Sequence, residues 1–538
     1  MLHDDVAWLL RTARRFARDE ALRDQVAFAR GAGGAPPVDP AVVARWESGQ
    51  VAPSHALVER YETVLGLPPG QLLTAVDTLA RQEEPVRAEP VLPPPRPAAP
   101  SARALQLLER ALASEPMTAA DWDELSALVA GMSHVLIRAG DSEALLRRAL
   151  LEMSVSTGLD YARRTEAIAR LAGHPQIAPV IVDLASATLE DPDAQVYSEI
   201  VALLNFTGMP GAGPLLARHV ESPVNDNALR AALFTAASQV RRRRVPAEVA
   251  GRLCRLAWGH LTSEQSSYRV RRSAANLIRA VDEPTRHRVA EAVLNGDRDS
   301  AAAAVLLGEG ALPRTAAQRV MERVRGHLVE ALGEPLEEHP TLLRLLDQAA
   351  QDTNEESRGS ALAVLMLCPV GPALGRAYGQ QLRLSLAEGG RVGAHEALSV
   401  LTWMPQPRDL DLLTDLAVDA SPAGEGDEDL PVEASWAVGN CPEPDRSTAA
   451  AREERLAARA AELAGEPGPA GAPGLAGASG PDAEGRDRQL TALAYALGMR
   501  GRTDLLAGGP DLPAWRASAD WWLQLPDHVR PQAGVPAR

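Results

Sequence analysis

"VDPAVVARWESGQVAPSHALVERYETVLGL", Val38 to Leu67, contains two helix starts and two helix stops. Asp39 is a good N-cap, and Pro40 fits the first helical position, where its missing N–H costs nothing. That short helix stops near Gly49. Ser54 then caps a second helix with Leu57, Val58, Tyr61 and Leu65 on one face, and Gly66 ends it. Downstream, "PPGQLLTAVDTLA" starts another. Upstream, Val6, Leu9, Leu10, Ala13, Phe16 and Ala17 recur at the spacing of one helical face. A further helix near "EALRDQVAFAR" halts at "GAGGAPP", whose glycines and prolines cannot continue it. The reading is five short helices over residues 1–82.

Composition extends the all-α reading to the whole chain. With 538 residues, two or more domains are expected. Aromatics make up only 4%, and Ala, Leu and Val carry the apolar content, which suits closely packed helices better than strands. All 55 basic residues are arginine. A phosphate loop ending in Gly-Lys, a nucleotide-binding lysine and a Schiff-base lysine are therefore excluded. Cys254, Cys368 and Cys441 lie far apart and form neither a disulfide framework nor a zinc knuckle. The opening "MLHDDVAWLL" has acids where a signal peptide carries positive charge, and no apolar run approaches the roughly 18 residues of a membrane span. These features point to a soluble, cytoplasmic, bacterial-type protein with no membrane partner.

Val38, Val43, Trp46, Glu47 and Gly49, followed by "P-x7-Y-x3-LGL", resemble the phage-repressor-like (XRE) helix-turn-helix family over about the first 80 residues. The resemblance makes the helix from Asp39 to about Ser48 the recognition helix, laid into the major groove of DNA. It also implies that Trp46 is core and that Glu47 pairs with an arginine of the first helix. The base-facing positions depart from the polar residues such readers use: they are Pro40, Ala41, Val42 and Ala44, with Arg45 and Gln50 the obvious polar contacts. Residues 1–82 carry nine Arg against ten acids, so the basic footprint of a DNA binder is missing. Against that, Arg11, Arg14, Arg15 and Arg18 are spaced as a basic stripe on the first helix, able to line phosphates or, equally, to be solvated beyond the one that pairs with Glu47.

Residues 83–100, "EEPVRAEPVLPPPRPAAP", hold seven prolines and read as an extended semi-rigid spacer between two domains. Beyond it, Ala361–Pro369, Ala397–Pro405 and Ala434–Pro442 run from Ala to Pro at offsets of 36 and 37 residues, an internal repeat. Residues 101–525 resemble HEAT or armadillo arrays, in which each helix pair needs its neighbours to bury its faces, leaving a groove for a protein or peptide. Tetratricopeptide repeats are the rival. Trp515, Trp521 and Trp522 read as a terminal cap. The Gly-rich stretch 465–482 looks collagen-like but is too short for a triple helix, and a disordered loop is expected there.

Residues 241–290 contain twelve Arg against four acids inside a chain of net charge -16. Arg241, Arg242, Arg243, Arg244, Arg269, Arg271 and Arg272 are candidates for an anionic partner or for nucleic-acid phosphates. Solvated helix faces that balance nearby acids are the plainer reading, and "GEGDEDL" at 424–430 is an acidic loop that could cover the patch. The eleven His show no metal spacing, His395-Glu396 reads as a helix surface, and no Gly-x-Ser-x-Gly elbow is present. No enzyme activity, cofactor or metal is expected. The expectation is a DNA-binding transcriptional regulator whose array binds an effector or partner protein, with a homodimer as the geometry paired half-sites require. The alternative is a non-catalytic interaction scaffold whose helix-turn-helix no longer reads DNA.

Overall fold

The computed structural model describes residues 2–531 except 32, 34, 85, 96, 98, 133–137, 264, 295–313, 353, 420–428, 444–445 and 466–480. The acidic 424–430 loop and the collagen-like stretch therefore lie largely outside the described residues. The fold is all-α: 27 helices and no strand among the described residues. Two compact units divide the chain, the first made of residues 1–154, 159–314 and 339–369, the second of 155–158, 315–338 and 370–538.

The first unit opens with five helices, α1 (Leu2–Arg15), α2 (Gln25–Arg30), α3 (Pro40–Glu47), α4 (His55–Leu65) and α5 (Gln71–Glu83). The capping chemistry follows the sequence closely. Asp39 accepts from the Ala41 amide with Pro40 at the first position, Ser54 accepts from Leu57, and Gly66 ends α4 at φ +61°. The second expected helix is split. Asp24 caps α2 through the Ala27 amide, so Glu20–Arg23 form a separate 3-10 turn capped by Asp19. The fifth helix starts on Gly70, whose side chain cannot cap it. The Glu62 carboxylate does so instead, accepting from the amides of Gly70, Leu72 and Leu73. Burial pushes the Glu62 carboxyl up, and those three amide bonds oppose the rise.

The five helices bury Val6, Leu9, Leu10, Ala13, Phe28, Val43, Val58 and Tyr61. Two aromatic expectations are corrected. Trp46 is half-buried and meets Tyr61 edge-on at 6.4 Å, while the deeply buried indole is Trp8, 2% exposed. Phe16 lies past the end of α1, its ring 5.9 Å from that of His339.

Beyond residue 99, many of the described helices pack on the next helix or on the next but one within their own unit. In the first unit, Ala212–Glu221 touches Asp226–Arg241 and Ala247–Thr262, and Asp226–Arg241 touches Tyr268–Ala280. In the second, Arg391–Leu401, Asp429–Asn440 and Pro481–Met499 form one such series, and Leu410–Val418 with Arg446–Gly465 another. The three Ala-to-Pro segments end three of these helices, and Ala361, Ala397 and Ala434 are fully buried where neighbours approach. On the last helix, Pro513–Gln524, Trp515 and Trp522 are buried and Trp521 half-buried. A Cβ at Gly509 or Gly498 would collide with the Trp515 or Trp522 indole.

Residues 1–82 are not held away from the helices that follow. The Asp77 carboxylate accepts from the Val91 amide at 2.9 Å, and the backbone of Arg87 and Ala88 lies against Gly173. The proline-rich segment thus runs along the first unit instead of spacing two bodies apart, and α5 packs against both Gly158–Gly173 and Glu355–Leu367. Composition alone describes how stiff a segment is, not what it lies against.

Candidate nucleic-acid interface

Helix α3 has one buried and one open side. On the buried side, Glu47 accepts from Arg14 Nε at 2.6 Å and from a terminal Arg14 nitrogen at 2.8 Å, from Gln25 Nε2 at 2.9 Å, and from the Tyr61 hydroxyl at 3.1 Å. Four helices are therefore tied to one carboxylate. Burial, then the Glu47 charge, drive the Tyr61 phenol far above its usual range, so it is a neutral donor. On the open side, Ala41, Ala44, Arg45 and Gln50 are exposed, and Pro40 and Val42 are half-buried. Ala41, Ala44 and Arg45 thus share an accessible surface on a helix whose rotation is fixed, and Gln50 lies past its end.

The α1 arginines do not form the expected stripe. The helix ends at Arg15, so Arg18 lies beyond it, exposed. Arg14 is consumed by Glu47 and the Arg23 carbonyl. Arg11 and Arg15 are half-buried. A side chain at helical spacing can point inward as readily as outward, and the Glu47 pairing decides it for Arg14.

The basic 241–272 stretch is partly neutralised by acids from far along the chain. Arg242 pairs with Glu356 at 3.0 Å, Arg272 approaches Glu355 at 3.9 Å, and Arg244 donates to the Asn205 carbonyl. Arg241 is held below its usual range by burial, with Asp352 and Glu356 opposing the shift. Arg243 (φ +54°), Arg271 and Arg272 are exposed, and Arg269 is half-buried. The N-terminal turn of Glu355–Leu367 sits on this patch, a pairing no local reading of 241–290 contains. His395 Nδ1 lies 3.0 Å from a Glu433 carboxylate oxygen, which accepts from it, and Glu396 is buried. Cys254, Cys368 and Cys441 are buried thiols, and burial lifts Cys254 to about 11 and Cys441 to about 12. Among the described residues no group of three or more His, Cys, Asp or Glu is placed to hold a metal ion. No single described helix is long and apolar enough to cross a membrane.

A polar cluster that the sequence reading did not single out lies where α5 meets Gly158–Gly173. Arg81 donates to Glu166 at 2.8 Å and stacks over Phe206 at 5.3 Å, while Thr78 donates to the other Glu166 oxygen at 3.0 Å. Arg170 reaches Asp77 at 3.3 Å, Ser126 Oγ at 2.6 Å and the Asp123 carboxylate. Arg163 bonds Asp123 at 3.0 Å and the Pro69 carbonyl at 3.1 Å. Burial raises Asp77 to about 6 against the pull of Arg170. Burial also opposes ionisation of Asp123, yet Arg170 and Arg163 hold it below its usual range. At the other end of the five helices, Asp5 accepts from Thr341 Oγ1 at 3.0 Å and Arg344 at 2.8 Å. The apolar spacing of α5 gave no signal of this cluster: Leu72, Ala75, Val76, Leu79 and Ala80 fall at i, i+3, i+4, i+7 and i+8, one face of a helix, and only the fold buries Thr74, Thr78 and Arg81 as well.

No family model matches the chain, and no curated protein matches it. Among solved structures, an engineered protein determined by the Northeast Structural Genomics Consortium aligns with 79% of this chain and 98% of its own, at 14% identity and a TM-score of 0.18, a likeness that carries no argument.

Proposed function

We propose that the protein is a DNA-binding regulator that reads DNA with α3 and binds a partner protein or effector through its helical array. One observation carries this reading: Ala41, Ala44 and Arg45 stand exposed on a helix whose opposite side is fixed by the Glu47 hub, with exposed Gln50 just past its end. The five helices also attach to the rest of the first unit through α5 and the start of α1, which leaves that side of α3 open. Arg45 is the main base contact in this reading, suited to a bidentate guanine pair, and Ala41 or Ala44 meets thymine methyls. The resemblance to XRE-type readers and to HEAT-like arrays supports it. Paired half-sites imply a homodimer.

A second reading has its own support. The N-caps of α2 and α3 are Asp24 and Asp39, which place carboxylates where a helix N-terminus otherwise attracts a phosphate. In that reading the open face of α3 contacts a protein. Fluorescence anisotropy of the full chain against promoter-derived and scrambled duplexes over a salt series separates the two. DNA reading requires a sequence preference that Arg45→Ala weakens; absence of binding at every salt concentration leaves the scaffold.

A further inference from the structure

Helix α5 and Gly158–Gly173 run antiparallel, and their ion pairs are reciprocal. The acid of α5, Asp77, meets the base of the partner helix, Arg170, while the base one turn later on α5, Arg81, meets Glu166, one turn earlier on the partner. Such a pattern fixes both direction and register: sliding α5 by a turn sets like charges against each other. On another side, α5 packs on Glu355–Leu367, and Gln71 donates to the Leu367 carbonyl at 2.6 Å. The helix is therefore gripped between two array helices whose sequence positions differ by nearly 200 residues.

Strength and specificity separate at such a contact. Buried ion pairs roughly break even against apolar packing, but a mismatched one is costly. Charge-rich contacts are typical of interfaces that open and re-form, whereas permanent ones resemble a core cut in two. The five-helix module has its own hub at Glu47, with partners on α1, α2 and α4, so its internal fastening does not pass through the clasp.

We propose that α5 is a releasable clasp: the array sets the register of the N-terminal module through Asp77–Arg170 and Arg81–Glu166, with Gln71 on the Leu367 carbonyl and Asp5 on Thr341 and Arg344 as further fastenings, and parting of the gripping helices frees the module as a folded body. A partner that binds the array and flexes it acts on the module through this grip. Any consequence for DNA reading rests on the function proposed above; the clasp itself does not. In that role, closure presents α3 at a fixed angle to the array, and release leaves it free to reorient.

The test contains no DNA, so its failure is distinct from failure of the DNA-reading proposal. Spin labels are placed at Val26→Cys on α2 and Val224→Cys in the array, both exposed positions, the native cysteines being buried. Pulsed-EPR distances are measured for the parent, Arg81→Glu, Glu166→Arg and the double reversal, with circular dichroism as the check on folding. A closed clasp gives the parent one narrow distance, each single reversal a broad, longer distribution at unchanged helicity, and the double reversal the narrow distance again. Glu166→Gln, which creates no repulsion, is read if a reversal unfolds, and it should show a broad component that grows with salt. The proposal is overturned by a broad parent distribution, by a narrow distance in folded single reversals or in Glu166→Gln at all salt concentrations, or by a folded double reversal that stays broad.

Discussion

Replacing Asp77 by asparagine removes a buried ion-paired charge, and the structure expects the protein to become more stable at neutral pH. Asp77 is one of three acids, with Asp123 and Glu166, around Arg170 in a site where its side chain is 12% exposed. Burial outweighs the attraction of Arg170 and raises the carboxyl from 3.8 to about 6. A raised carboxylate favours its neutral form in the fold. That contribution is complete below the unfolded value and is lost as pH climbs through about 6, so at pH 7 the ionised Asp77 leaves the fold about 3 kcal/mol less stable than a carboxyl with an unshifted pKa would. Asparagine stays neutral and keeps an acceptor for the Val91 amide, while Arg170 retains Asp123 and Ser126. Loss of the direct charge pair offsets part of the gain, leaving about 1–2 kcal/mol, on the scale of typical engineered stabilisations. Urea denaturation of parent and Asp77→Asn, followed through the first transition at pH 4 to 8, measures it. The variant's advantage should be largest at pH 7 to 8 and shrink between pH 6 and 4, where the parent protonates. Counting ion pairs predicts the reverse, a loss of about 3–5 kcal/mol from orphaning Arg170. A variant less stable than its parent at pH 7 would falsify the reasoning.

The remaining predictions test the hub, the core and the reading face. Glu47→Ala strands Arg14 as a buried charge and should cost about 3–5 kcal/mol, read as lost hydrogen-exchange protection across α1–α4; unchanged protection contradicts the hub. Trp8→Ala should destabilise by about 3–5 kcal/mol, and Trp46→Ala by clearly less in the same chemical denaturation series, the reverse of an assignment that buries Trp46. Gly498→Ala drives a methyl into the Trp522 ring and should cost about 1–3 kcal/mol, visible as a fall in Tm of the second unit with altered tryptophan emission. Arg45→Ala should weaken binding to a preferred duplex by about 1–3 kcal/mol and relax one base position, whereas neutralising Arg243 and Arg271 should leave sequence preference untouched.

Local chemistry in the sequence determined the helices. Asp39 with Pro40, Ser54 and Gly66 set the bounds of α3 and α4 because a cap acts on amides two or three residues away. Low aromatic content, short breaks and abundant alanine likewise made an all-α chain legible, whereas the base-facing positions of α3 were named from the resemblance to XRE-type readers. Longer-range questions had no local answer. The sequence places Arg14 on α1 but not whether it faces Glu47 or solvent, and it shows the basic 241–272 stretch but not that Glu355 and Glu356 arrive to neutralise Arg272 and Arg242. The proline-rich 83–100 segment declares its stiffness, while the Val91 amide on Asp77 reveals where it lies. The clasp needed the tertiary fold most of all. Asp77 and Arg81 are an unremarked acid and base one turn apart until Arg170 and Glu166 stand opposite them in antiparallel register. Burial on both sides of α5 then turns ordinary surface charges into pairs whose geometry, desolvation and charge state depend on one another.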